Sequence, residues 1–137
     1  MIKDGKINDF LYLFYKTNKS ITKVVNNILK DYEITFTNYL VLLSLDYDKE
    51  TNVKSIADLL DLDTGTLSPI TKRLEAKGLL IRNRSTLDER SIELRLSDKG
   101  KGLKNNFDKI SSEIEGGLSM KIDELNEYLF ILNNLKR

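Results

Sequence analysis

The chain has 137 residues, 40% hydrophobic and 31% charged, with a net charge of +1 and neither cysteine nor histidine, the size and balance of one soluble globular domain. Without cysteine there is no disulfide, thiol switch or thiolate metal site. Without histidine the commonest metal ligand and general base are missing, so catalysis is a distant expectation and no cofactor is expected. No apolar run approaches the about 20 residues that span a bilayer, and the opening Met1-Ile2-Lys3-Asp4-Gly5-Lys6 lacks a secretory pattern, so the expected location is the cytoplasm, away from membranes.

One proline and seven glycines leave room for long helices. From Ile7 to Tyr32, the residues Phe10, Leu11, Phe14, Ile21, Val24, Val25, Ile28 and Leu29 recur at spacings of three, four and seven, which predicts one amphipathic helix. Thr35 is a suitable cap for a second helix, with Phe36, Tyr39, Leu40, Leu43 and Leu45 expected inward. Asp46 to Thr51 reads as a polar connection. Asn52 then caps a short helix carrying Ile56, Ala57, Leu59 and Leu60. Asp63 caps another, with Leu67, Ile70 and Leu74 inward and Gly78 as its stop. The joint Asp61-Leu62-Asp63 is too tight for antiparallel packing, and the pair has the layout of a helix-turn-helix.

Past Gly78 the apolar period drops to two. Leu79 to Arg84 and Ser91 to Leu96 read as strands joined by a polar tip. Two strands alone are marginal in water, so this hairpin is expected to lean on the helices. Ser97 caps a further helix from Asp98 to about Gly116, with Leu103, Phe107, Ile110 and Ile114 on one side. The pair Gly116-Gly117 is expected to break it. A last helix from about Ser119 carries Ile122, Leu125, Leu129, Leu132 and Leu135. The fold class is therefore mainly α with a small β-hairpin. The terminal stripes exceed what a single helix-turn-helix and hairpin core absorbs, which favours a dimer over an ordinary internal bundle.

Charge is unevenly spread. Between Ser68 and Lys104 ten basic residues face five acidic ones, an excess of +5 that leaves −4 for the rest. Such a region suits phosphate, although a solvated basic face has the same composition.

Two stretches carry a family resemblance. Asp63-Thr64-Gly65-Thr66-Leu67-Ser68-Pro69-Ile70-Thr71-Lys72-Arg73-Leu74-Glu75 is followed by Lys77-Gly78-Leu79-Leu80. Arg82-Asn83-Arg84-Ser85-Thr86-Leu87-Asp88-Glu89-Arg90 leads into Leu96-Ser97-Asp98-Lys99-Gly100. Together they resemble the recognition helix, wing and following helix of MarR/SarA-family winged helix-turn-helix regulators, and the spacing of the wing is similar to the SarA subgroup in particular. The resemblance implies a single domain over 1–137, with a winged-helix DNA-binding core at about 34–100 and N- and C-terminal dimerisation helices at about 6–32 and 103–137. It implies a homodimer on a near-palindromic operator in double-stranded DNA, acting as a repressor or activator by occupying the promoter. Peroxide- and thiol-sensing members carry a cysteine early in the first helix. Here Phe10 stands near that place, which excludes cysteine-based sensing.

The DNA-binding candidates follow from the chemistry of the grooves. With Leu67, Ile70 and Leu74 inward, the recognition helix presents Thr64, Thr66, Ser68, Lys72 and Glu75, with Arg73 at the edge. Short hydroxyls reach phosphates or base edges, and Lys72 and Arg73 reach phosphate or guanine. Pro69 either presses its ring on a thymine methyl or is an early-helix proline without contact. In the wing, Arg84 and Arg90 suit a narrow minor groove. Asp88 either pre-orients one of these arginines or forms a surface salt bridge worth ~0–1 kcal/mol. Arg82 contacts the DNA backbone or packs beside the helices. The resemblance also allows a small-molecule inducer between the dimer helices and the winged helix. Tyr12, Tyr15, Tyr39 and Tyr47 are candidate lining, but aromatics at helical spacing are more often core and no ligand residue is assigned. The competing reading is a winged-helix protein–protein interaction module, against which the hydroxyl-rich, cationic face argues.

Overall fold

The computed structural model describes residues 5–85, 87–88 and 90–135. Helix α1 (Lys6–Leu29) ends in a 3₁₀ turn (Lys30–Tyr32) and a left-handed Glu33. Then come α2 (Phe36–Leu43), β1 (Thr51–Asn52), α3 (Val53–Leu60) and α4 (Thr64–Ala76). The hairpin β2 (Leu80–Arg84) and β3 (Ile92–Leu96) leads to α5 (Asp98–Lys104), α6 (Phe107–Leu118) and α7 (Ile122–Asn134). No helix among the described residues is long and apolar enough to cross a membrane.

The four expected caps all form. Thr35 and Asn38 make a reciprocal capping box, with bonds of 3.2 and 3.1 Å. Asn52 accepts from the Lys54 N–H at 2.7 Å, Asp63 from Thr66 at 2.6 Å and Ser97 from Gly100 at 2.9 Å. Each satisfies an orphan donor of its first turn. Gly78, at φ 76°, terminates α4 while the Leu79 N–H returns to the Leu74 carbonyl at 3.0 Å.

The core sits where α2, α3, α4, the sheet and α6 meet, around Leu42, Leu45, Ile56, Leu67, Leu74, Leu80, Leu94, Leu96 and Ile110. Helix α2 differs from its expected face. Val41 and Leu42 are buried together with Tyr39 and Leu45, whereas Leu40 is half-buried and Leu43 is exposed. An apolar run of five, Tyr39 to Leu43, has no polar residue to mark which side faces out, and packing decides it.

The connection before α3 is not wholly irregular. Thr51 and Asn52 pair antiparallel with Leu94 and Glu93, adding a third strand in the order β1-β3-β2. Residues Leu80 to Arg84 pair with Leu96 to Ile92 in register.

The helix expected over 98–116 is two helices. Asn105 and Asn106 separate α5 from α6, and the Asn106 side chain donates to the Gly102 carbonyl at 3.3 Å. Asparagine competes locally for backbone groups and so interrupts helices. Gly116 and Gly117 lie inside α6 rather than breaking it. A Cβ on Gly117 would stand 2.9 Å from Val24 Cγ1, so the missing side chain lets α6 approach α1. The chain reverses at Ser119, in the left-handed region at φ 53°, and α7 starts only at Ile122.

Candidate nucleic-acid interface

Helices α3 and α4 form the helix-turn-helix, with Asp61 left-handed at φ 54° and the Leu62 N–H returning to Ala57 at 2.9 Å. Leu67 and Leu74 are fully buried and Ile70 partly, which fixes the outer face of α4. Thr64, Thr66, Pro69, Lys72 and Arg73 are exposed on α4, and Ser68 is half-buried. Thr71, fully buried, returns its hydroxyl to the Ser68 carbonyl at 3.0 Å. Pro69 lies beyond the first turn, so the helix forgoes one bond there, to the carbonyl of Gly65.

Two polar groups on this face are already engaged. The Thr66 backbone N–H, helped by its hydroxyl, holds the Asp63 carboxyl below its ordinary range. Glu75 is exposed, but its carboxylate accepts from the Arg82 backbone N–H at 2.8 Å and so ties α4 to β2. Arg82 itself is half-buried, and among the described residues its Nε is buried without a hydrogen-bond partner.

The wing places Arg84 at the end of β2 and Arg90 just before β3, both exposed. The Ser85 N–H donates to Ser91 at 2.8 Å and the Ser91 N–H to Asp88 at 2.9 Å, closing the loop. Asp88 Oδ1 accepts from the Arg90 backbone N–H at 3.0 Å. Its observed hold on Arg90 is therefore through the main chain.

The basic excess divides into two groups. Lys77 donates to the Glu33 carbonyl and Lys99 to the Lys77 carbonyl at 2.8 Å. Lys101 pairs with Asp48 at 3.1 Å. Lys104 donates to the carbonyls of Leu43 and Leu45, 5.3 Å from the Tyr47 ring centre, and burial lowers its pKa against the opposing pull of Asp46. These four lysines staple helix ends together, while Lys72 and Arg73 on α4, Arg84 and Arg90 in the wing and Arg95 on β3 are exposed. Composition alone could not separate the two roles.

The four candidate tyrosines do not converge on one site. Tyr39 is core, 4.7 Å from the Phe107 ring and bonded to Ser111 at 3.2 Å. Tyr47 lies under Lys104, and Tyr12 and Tyr15 flank a shallow depression with Asn8 and Leu11. No residue group among those described could hold a metal ion.

The model of the SarA/Rot transcriptional regulators matches residues 23–107, which include the helix-turn-helix and wing. The chain belongs to the SarA/Rot family. Membership makes it a transcriptional regulator rather than an enzyme. It is 36% identical to the HTH-type transcriptional regulator SarZ of Staphylococcus aureus (strain MRSA252), over 91% of this chain and 82% of that protein. Among solved structures it is similar to CouR, a transcriptional repressor bound to a 23-mer DNA duplex, with a TM-score of 0.85 and 25% identity over 100% of this chain and 99% of that one. It is also similar to reduced AbfR bound to DNA, at TM-score 0.76 and 28% identity over 93% and 88% of the two chains. The MarR-type winged helix-turn-helix inferred from the sequence is thus the fold observed.

Proposed function

We propose that this regulator binds double-stranded DNA sequence-specifically as a homodimer on a near-palindromic operator. Helix α4 enters the major groove, and the wing lays Arg90, with Arg84 beside it, over the adjacent minor groove. The observation that carries this reading is the joint exposure of Lys72 and Arg73 on α4 and Arg84 and Arg90 on the wing, while the other face of each element is locked into the core. CouR and AbfR, similar in fold and sequence, have structures bound to DNA. Thr64, Thr66, Ser68 and Pro69 supply the short contacts of the helix, and Asp88 shapes the turn that presents Arg90. Repression by promoter occupancy in the cytoplasm is the simplest outcome, and an inducer site keeps no assigned residues.

The homodimer rests on the terminal helices. Phe10 to Tyr15 is a run of six apolar residues, and all six are exposed in the single chain, Tyr12 at 70%. Tyr128 to Leu132 is a second exposed run, with Phe130 at 71%. Consecutive apolar residues cover the whole circumference of a helix, and a helix apolar all round belongs inside a protein. Interleaving α1 and α7 of two copies buries both runs and leaves residues 34–100 to meet DNA. It also sets two recognition helices one DNA turn, or a multiple of it, apart.

The test is light scattering together with binding to duplexes selected from a random pool. A mass twice the 15.8 kDa of the chain and a duplex affinity falling steeply with salt are expected. A single-chain mass, or no binding at low ionic strength, overturns the proposal. Lys72→Ala is expected to reduce the salt slope by about one, as one lost phosphate contact requires. An unchanged slope removes Lys72 from the phosphate-contacting set.

A further inference from the structure

We propose that Leu87, at the tip of the wing, is an apolar wedge that enters the minor groove between the two wing arginines and partly unstacks a base step. The inference rests on the DNA-binding reading above and adds to it a residue that reads the stiffness of DNA rather than its charge. Leu87 is 98% exposed, more than any other large hydrophobic residue described. A lone surface leucine is ordinary, so exposure alone says little, and position is what sets this one apart. It stands in the hairpin tip three residues after Arg84 and three before Arg90, both exposed cations.

The tip is also held. The Leu87 N–H donates to Ser85 Oγ at 3.2 Å, next to the bonds that close the loop from the Ser85 N–H to the Ser91 carbonyl and from the Arg90 N–H to the Asp88 carboxylate. Arginines that straddle the groove at the phosphates or its floor would bring the leucine between them against the base edges. Leucine has no donor for a phosphate and no acceptor for a base, so what it can do there is displace water and press between stacked bases. Minor-groove proteins use such apolar side chains to kink the duplex, at a cost of a few kcal/mol per unstacked step. That cost is lowest at pyrimidine–purine steps, which are flexible. The wing would therefore favour operators with a flexible step one wing's reach from the major-groove contacts, at a position without hydrogen-bond readout.

The experiment uses the full chain and duplexes selected by it, with 2-aminopurine scanned through the minor-groove flanks of the site. The wild type is expected to raise the probe's fluorescence at one step on each flank. Leu87→Ala should abolish that rise and weaken binding about tenfold. The salt slope should stay the same, since no charge is lost. Leu87→Met, which keeps an apolar wedge, should retain both the rise and the affinity. If Leu87→Ala binds and unstacks as the wild type does while Arg90→Ala weakens binding, the wedge is overturned and the DNA-binding wing survives. A wild type that does not bind duplex overturns both.

Discussion

Gly100→Ala is expected to cost about 3 kcal/mol or more of stability, lowering the melting temperature by about 10 °C, while Gly102→Ala two residues on costs nothing. A Cβ on Gly100 would stand 1.9 Å from the Leu79 carbonyl oxygen, 3.0 Å from its carbon and 3.3 Å from Leu96 Cδ2. A side chain in the way could change rotamer, but a backbone carbonyl cannot. The Leu79 carbonyl also accepts from the Ser97 N–H at 3.2 Å, and Leu79 and Leu80 are buried. Relief therefore means moving α5 away from the base of the wing and losing that bond. Gly102 has open space around its Cβ position, so alanine there gains helix propensity of up to about 1 kcal/mol. The pair separates a steric effect from a general effect of glycine replacement in the same short helix. Thermal unfolding by circular dichroism decides it, and a Gly100→Ala protein that melts with the wild type would mean α5 does not seat against Leu79.

The part of this fold legible in the sequence is the part where a single residue type answers a single local need. Thr35, Asn52, Asp63 and Ser97 each carry the short oxygen that a helix start requires, and Gly78 carries the positive φ that ends α4. The alternation through Ile92, Leu94 and Leu96 could only be a half-buried strand. What stayed hidden depends on partners distant in sequence. Strand β1 is two residues long, too short to repeat any period, and exists because β3 offers it an edge. Gly117 reads as a breaker until Val24 and Ile28 are seen across from it. The same limit governs the site. The outward face of α4 follows from Leu67, Ile70 and Leu74, but that Glu75 is tied to Arg82, and that Lys77, Lys99, Lys101 and Lys104 serve as staples, is a matter of tertiary contact.

Arg90→Ala is expected to weaken duplex binding by about 10- to 100-fold, the roughly 1.4–2.8 kcal/mol of a guanidinium lost from a minor groove, and to leave the fold and the proposed dimer intact. Arg90 is exposed, and a surface substitution of this kind moves stability by no more than about 0.5 kcal/mol. The loss should be larger on operators with A·T-rich flanks, whose narrow minor groove concentrates negative potential, than on G·C-rich ones. Asp88 supplies the companion test, because its carboxylate bonds the Arg90 main chain at 3.0 Å. Asparagine can accept that same bond, so Asp88→Asn should keep the turn and bind DNA at least as well as the wild type, with one negative charge fewer near the phosphates. Asp88→Ala removes the acceptor and should weaken binding in the direction of Arg90→Ala. Were the carboxylate acting instead as an ionic clamp on a guanidinium, both variants would lose affinity together. Titrations of the three variants against the same duplex distinguish these cases, and unchanged affinity in Arg90→Ala would take the wing arginine out of the interface.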